Sequence, residues 1–210
     1  MRQARPQRRR GADGARRTLL LETTLRLIAD RGIDAISHRS VADAAGVPLG
    51  STTYWFASRQ DMLIEALEHF ARLETETLRD RLSGVLGKRL SRARLVDELT
   101  AILLPQVGEG RWRALAQYTL LQEAARQPEL EAACREWTAA WEDALTEVFG
   151  SMRADDPELE ARMFLAMLDG LLLGQLATPV PDVENAVIRP WLEAWLSRVP
   201  TSDPAAGARR

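Results

Sequence analysis

Apolar residues recur along this chain at intervals of three and four, the period of an α-helix packed on one side. Leu20, Thr24, Leu27 and Ile28 share a face in 15–31, and Arg31-Gly32 ends that segment as a C-cap. Ser37 predicts the N-cap of a short helix through about Ala45, which Gly46 breaks in a left-handed conformation. A second short helix runs from about Leu49 to Trp55. Ser58 and Asp61 form an S-x-x-D start for a long helix through about Leu82. Further on, Ser91 caps a helix ending near Pro105, and PQVGEG (105–110) reads as a loop. Helices are expected over 111–127, from Pro128 onward, over 154–177 and over 183–199, with Pro190 kinking the last or splitting off its first turn. No run alternates apolar and polar between turn signals, so the expected fold is all-α, with about nine helices and no repeat.

The first three helices are short and closely spaced, and two of them meet at a glycine turn. That is the layout of a helix-turn-helix. Ala42, four residues before Gly46, lets the second helix pack closely, and Val41 and Val47 anchor either side of the turn. In such a unit the second helix enters the major groove with its N-terminal residues over base edges. Gly50 allows close approach, and Ser51 and Thr52 offer hydroxyls to phosphate or base. Three aromatics follow in a row: Tyr54 and Trp55 are expected on the exposed face, and Phe56 is expected to close the core. An ordinary helical hairpin with surface rings shares this spacing.

Charge bears on the choice. The chain's net charge is −2, yet residues 1–66 hold 11 Arg against 7 acids. Most of that excess lies in MRQARPQRRRGADGARR, with seven Arg and one Asp. The segment has no apolar period and is expected to be disordered when free. It reads equally as a solvated tail or as an arm that follows DNA phosphates or enters a minor groove. Residues 18–66 carry 4 Arg and 6 acids, so charge alone does not argue for DNA there.

The stretch GIDAISHRSVADAAGVPLGSTTYWFASRQDML (32–63) resembles the DNA-binding domain of the tetracycline-repressor (TetR) family of bacterial transcription regulators. The resemblance rests on Gly32, Ser37-x-Arg39-x-Val41-Ala42, Ala45-Gly46-Val47, Gly50-Ser51, Phe56, Ser58-Arg59, Asp61 and Leu63, within residues 15–65. The family often has Tyr where this chain has Thr53, and His or Tyr at Trp55. The resemblance implies that Ser37, His38 and Arg39 touch phosphate and sometimes a base, with the planar fork of Arg39 suited to guanine. It implies Leu49, Gly50 and Ser51 over base edges, Tyr54 and Trp55 on the backbone, and Arg59 clamping a phosphate.

A helix-turn-helix reads few base pairs, so two copies about one DNA turn apart are expected on a palindromic operator. Ile188, Trp191, Leu192 and Trp195 form a stripe on the last helix, and the helix before it, with Leu168 and Leu172, is apolar nearly all round. Gly170 and Gly174 permit close approach there. The resemblance implies that these two helices pair with their copies in a homodimer; the residues alone also fit an intramolecular core. It further implies an effector cavity in the middle helices, with Trp112, Tyr118, Trp137 and Trp141 around it and Gln122 and Asp169 as polar groups. Each of these aromatics taken alone also reads as plain core. The expected effector is apolar or aromatic, and it would act by favouring a dimer geometry that no longer fits the groove.

The domain expectation is an arm over 1–17, a DNA-binding domain over 18–65, a ligand-binding and dimerisation domain over 66–200 and a tail over 201–210. One cysteine, Cys134, excludes an internal disulfide, and no secretory or membrane-spanning pattern is visible, which fits a reducing cytoplasm. Two histidines and one cysteine make no transition-metal set, and no cofactor motif appears. The expected function is a ligand-released repressor and not an enzyme. The rival is an all-helical carrier or enzyme, which would leave the arginine-rich arm and the glycine-turn hairpin unexplained.

Overall fold

The computed structural model describes residues 6–83 and 91–199, with side chains from residue 14 onward. The described residues form nine α-helices and no strand: α1 Pro6–Arg31, α2 His38–Ala45, α3 Leu49–Trp55, α4 Arg59–Leu82, α5 Arg92–Val107, α6 Arg111–Ala124, α7 Pro128–Ser151, α8 Pro157–Ala177 and α9 Arg189–Arg198. A 3₁₀ turn, Ile33–Ala35, links α1 to α2, and a π turn, Glu184–Ile188, precedes α9.

Four boundaries differ from the sequence expectation, the simplest being α8, which begins at Pro157 and not at 154. The helix α1 begins at Pro6, so most of the stretch expected to be disordered is helical backbone. Its arginines, glutamine and alanines are good helix formers, and a proline at the first helical position lacks only an N–H that has no partner there. The helix α5 runs past Pro105 to Val107. Pro105 lies in the last turn and withholds its bond from Ala101, on an exposed side of the helix. The helix α6 stops at Ala124, where the amides of Arg126 and Gln127 turn back onto the Glu123 carbonyl. Pro190 does stand in the first turn of α9, split from the π turn before it. The tail over 201–210 lies outside the described residues.

The chain divides into two compact units. The first comprises Met1–Ala71 and Leu115–Cys134, the second Arg72–Ala114 and Arg135–Arg210. In the first, α1 buries Leu20, Leu21, Leu25, Leu27 and Ile28 in a core with Ile36, Val41, Phe56, Met62, Leu63 and Phe70. Thr24, fully buried on the same stripe, returns its hydroxyl to the Leu20 carbonyl at 2.9 Å, so no polar group is stranded.

In the second unit, Phe164 of α8 meets Phe149 of α7 at 5.7 Å and Trp191 and Trp195 of α9 at 5.0 and 6.3 Å. Around this aromatic cluster lie Leu168, Leu172, Ile188 and Leu192, exposed by 2% or less. These four were expected on a dimer interface. They are in the chain's own core, because α8 has apolar faces on both sides and this one turns inward. Trp191 and Trp195 are half-buried.

Candidate nucleic-acid interface

The site begins with how α2 starts. Ser37, extended at φ −152° and ψ 162°, accepts from the Ser40 amide at 3.0 Å. Its own amide donates to Ser40 Oγ at 2.9 Å, completing a reciprocal capping box. Ser40 Oγ also reaches the Ala35 carbonyl at 2.7 Å, tying the cap to the 3₁₀ turn. At the other end of α2, Gly46 sits at φ 65° and ψ 34°, a left-handed conformation costly for any residue with a Cβ. Val47 then donates back to the Ala42 carbonyl at 3.0 Å, and Pro48 caps α3 two residues after the glycine.

The two short helices are locked by Thr52. It is fully buried, and its hydroxyl stands 2.8 Å from the Leu49 carbonyl and 3.2 Å from the His38 carbonyl. The hydroxyl expected on DNA is therefore used at the α2–α3 junction, since position 52 falls on the inward face with Val41 and Ala42. Phe56 is 1% exposed and caps α3 through its amide to the Thr52 carbonyl at 2.9 Å.

What remains outward is a compact face. Leu49 is 46% exposed and Tyr54 75%, with Ser37, Arg39 and Gly50 exposed beside them. His38, Ser51 and Trp55 are half-buried at its edge, and His38 Nδ1 is shut from solvent without a protein partner. Tyr54 and Trp55 meet edge to face, ring centroids 5.0 Å apart at 85°. The three successive aromatics thus divide: Phe56 inside, Trp55 at the rim, Tyr54 outside. Arg39 has no hydrogen bond or ion pair among the described residues, so its five donors are available.

Arg59 differs from the clamp expected of it. Its Nε donates to the Ile36 carbonyl at 3.0 Å and its Nη2 to the Ile33 carbonyl at 2.7 Å. The guanidinium therefore pins the start of α4 to the 3₁₀ turn that launches α2, using two of its five N–H donors. Arg17 of α1 pairs with Glu65 of α4. These structural duties of Thr52, Ser40 and Arg59 carry no mark in spacing, because each depends on a carbonyl brought close by the fold.

The expected pocket residues are distributed unevenly. Tyr118 and Gln122 lie in the first unit, and Trp112, Trp137, Trp141 and Asp169 in the second. Tyr118, Trp137 and Trp141 are each 8% exposed, and Trp112 and Asp169 are half-buried. Gln122 is exposed; the buried polar residue of α6 is Gln117, at 7%. Burial pushes the Cys134 thiol up from its ordinary range, a setting that suppresses thiolate chemistry. A pocket of about 260 Å³ in the second unit is lined by Arg92, Ala93, Val96, Asp97, Arg189 and Glu193, none of them an expected pocket residue. Among the described residues no helix is long and apolar enough to cross a membrane, and no His, Cys, Asp or Glu cluster could hold a metal.

A helix about 10–12 Å across fits a major groove about 12 Å wide, and α3 is the helix here whose outward N-terminal half is free to enter one. The architecture is that of a helix-turn-helix DNA-binding regulator joined to a helical second domain. Comparison agrees. Residues 20–66 match the family model for bacterial regulatory proteins of the tetR family, and residues 90–198 match the tetracyclin repressor-like C-terminal domain. The regulator PksA of Bacillus subtilis is 25% identical over 79% of this chain and 80% of its own length. The repressor KstR2 of Mycolicibacterium smegmatis is 29% identical over 67% of this chain and 69% of its own. The solved multidrug-binding protein EbrR, complexed with ethidium, is 30% identical, covers 86% of this chain and 97% of its own, and superposes with a TM-score of 0.65. The chain belongs to the TetR family of DNA-binding transcriptional regulators.

Proposed function

We propose that this regulator is a homodimeric repressor that reads a palindromic operator with α2 and α3 and leaves it on binding a small-molecule effector. The observation that carries the reading is the outward face of Arg39, Leu49, Gly50 and Tyr54, set on a rigid support by Thr52, Phe56 and the Ser37 cap. In this reading Arg39 pairs with a guanine, Leu49 packs on a thymine methyl, and Ser51 bonds a base edge. Tyr54, Trp55, Ser37 and His38 hold sugar and phosphate.

The dimer contact is the exposed side of α8. Leu159, Met163, Met167 and Leu173 are 40–45% exposed along it. A Cβ added at Gly170 or Gly174 would meet nothing of this chain within 4 Å, so both glycines leave room for a partner helix. The repressor sense is supported by the name of KstR2, and a small-molecule effector by the ethidium complex of EbrR. The protein acts by binding, in the cytoplasm where bacterial DNA lies.

Selection of bound fragments from randomised DNA at near-physiological salt tests the reading. An enriched two-fold symmetric site with half-site centres about 34–36 Å apart is the expected outcome. Weak, unselective and steeply salt-dependent binding would overturn it.

A further inference from the structure

The pocket of about 260 Å³ in the second unit brings α5 and α9 to one place. Ala93 and the buried Val96 give it an apolar wall. Four charged side chains complete the lining: Arg92 and Asp97 from α5, Arg189 and Glu193 from α9.

Two of the four are matched to each other. Arg189 Nη1 donates to Asp97 at 2.8 Å, and its Nε donates to Glu184 at 2.9 Å. The π turn holds this clamp together, because the Arg189 amide closes onto the Glu184 carbonyl five residues back. The other two charges are open. On its own helix Glu193 has Arg189 as the i−4 partner, but that guanidinium is committed to Asp97 and Glu184. Arg92 has Leu95 and Val96 at i+3 and i+4, so its own helix offers no carboxylate there. Arg92 and Glu193 line the same pocket, and no ion pair joins them to each other or to any described residue.

The pocket therefore holds one available cation and one available anion beside an apolar wall. Both heads are exposed, so water solvates them and the fold loses little by leaving them apart. Their arrangement instead selects a ligand, because a molecule of single charge is drawn by one head and repelled by the other. The volume lies below the range of about 300–1,000 Å³ typical for drug-sized ligands, which favours a smaller molecule.

We infer that this pocket binds a small aliphatic α-amino acid as its zwitterion, with the carboxylate on Arg92, the ammonium on Glu193 and the side chain against Ala93 and Val96. The planar fork of a guanidinium suits a carboxylate, and a carboxylate accepts from an ammonium. One carbon separates the two charged groups of such a ligand. With a hydrogen bond of about 2.8 Å at each end, it bridges two heads that do not reach each other directly. The site is distinct from the effector reading above and makes no use of it.

The test uses the full chain and three probes that share one side chain: L-valine, L-valinamide, which keeps only the ammonium, and N-acetyl-L-valine, which keeps only the carboxylate. Binding is read by titration calorimetry and by ligand-observed NMR. Valine is expected to bind saturably below about 10 mM, and about tenfold or more tighter than either single-charge probe. Arg92→Gln should lower valine to the affinity of valinamide, and Glu193→Gln should lower it to that of N-acetylvaline. Both side chains are exposed, so both variants should keep the melting temperature of the parent. No saturable valine binding, equal binding of the three probes, or a valine affinity unchanged in either variant would overturn the proposal.

Discussion

At Gly46 a single backbone conformation decides whether α2 and α3 meet at all. With φ at 65° and nothing within 4 Å of an added Cβ, the cost of a side chain there is conformational and not steric. Gly46→Ala should therefore destabilise the protein by about 1–2 kcal/mol, read by thermal or urea unfolding. An unchanged midpoint would show that the turn relaxes freely. Arg39 and Arg59 make a pair of contrasting arginines. Arg39 is exposed and unbound, so Arg39→Ala should leave the melting temperature in place and lower operator affinity by about 1–3 kcal/mol. Arg59 donates to the Ile33 and Ile36 carbonyls, so Arg59→Met should cost about 1–3 kcal/mol of stability as well as operator affinity. If the two variants behaved alike in unfolding, the division between a reading and a positioning arginine would fail.

At the scale of elements, α8 carries two opposed apolar faces. Ala161, Phe164, Leu168, Leu172 and Leu176 are buried in the chain, and Leu159, Met163, Met167 and Leu173 face outward with Gly170 and Gly174 between them. Leu173→Glu places a charge on the outward face without touching the inward one. It should shift the protein from dimer to monomer in light scattering at micromolar concentration, with helicity retained. A dimer that persists would remove α8 from the proposed interface. This helix also shows what the sequence could and could not convey. Helix positions were legible because capping residues act locally: Ser37, Gly46, Ser91 and Pro128 each mark an end without reference to anything distant. The inward face of α8 was not, because a periodic stripe records only that a face is apolar. Whether it meets this chain or another copy depends on which neighbour arrives first, and that is set by the whole fold. The backbone bonds of Thr52 and Arg59 are hidden for a related reason: a hydroxyl or guanidinium near a turn suits phosphate and backbone carbonyl equally well.

For the molecule as a whole, the charge balance raises a question about affinity. The face of α2 and α3 presents one free arginine, Arg39, beside the acidic Asp43, and residues 18–66 carry more acids than bases. Counterion release from that surface alone would be slight, yet DNA affinity at physiological salt depends on it. The seven arginines of residues 1–17 are the obvious source, and from Pro6 they are borne on a helical backbone continuous with α1. The described core begins later, with Arg17 pairing Glu65 and Leu20 fully buried. Deleting residues 2–12 should consequently leave unfolding almost unchanged while altering DNA binding in a specific way. The plot of log affinity against log salt should become shallower by about 0.9 for each phosphate no longer neutralised, up to the five arginines removed. Preference among operator sequences should survive, since Arg39, Leu49 and Ser51 remain. A parallel plot with the original slope would show the arm to be a solvated tail. Lost sequence preference at unchanged slope would instead place base reading in the arm and reverse the assignment of roles between α1 and α3.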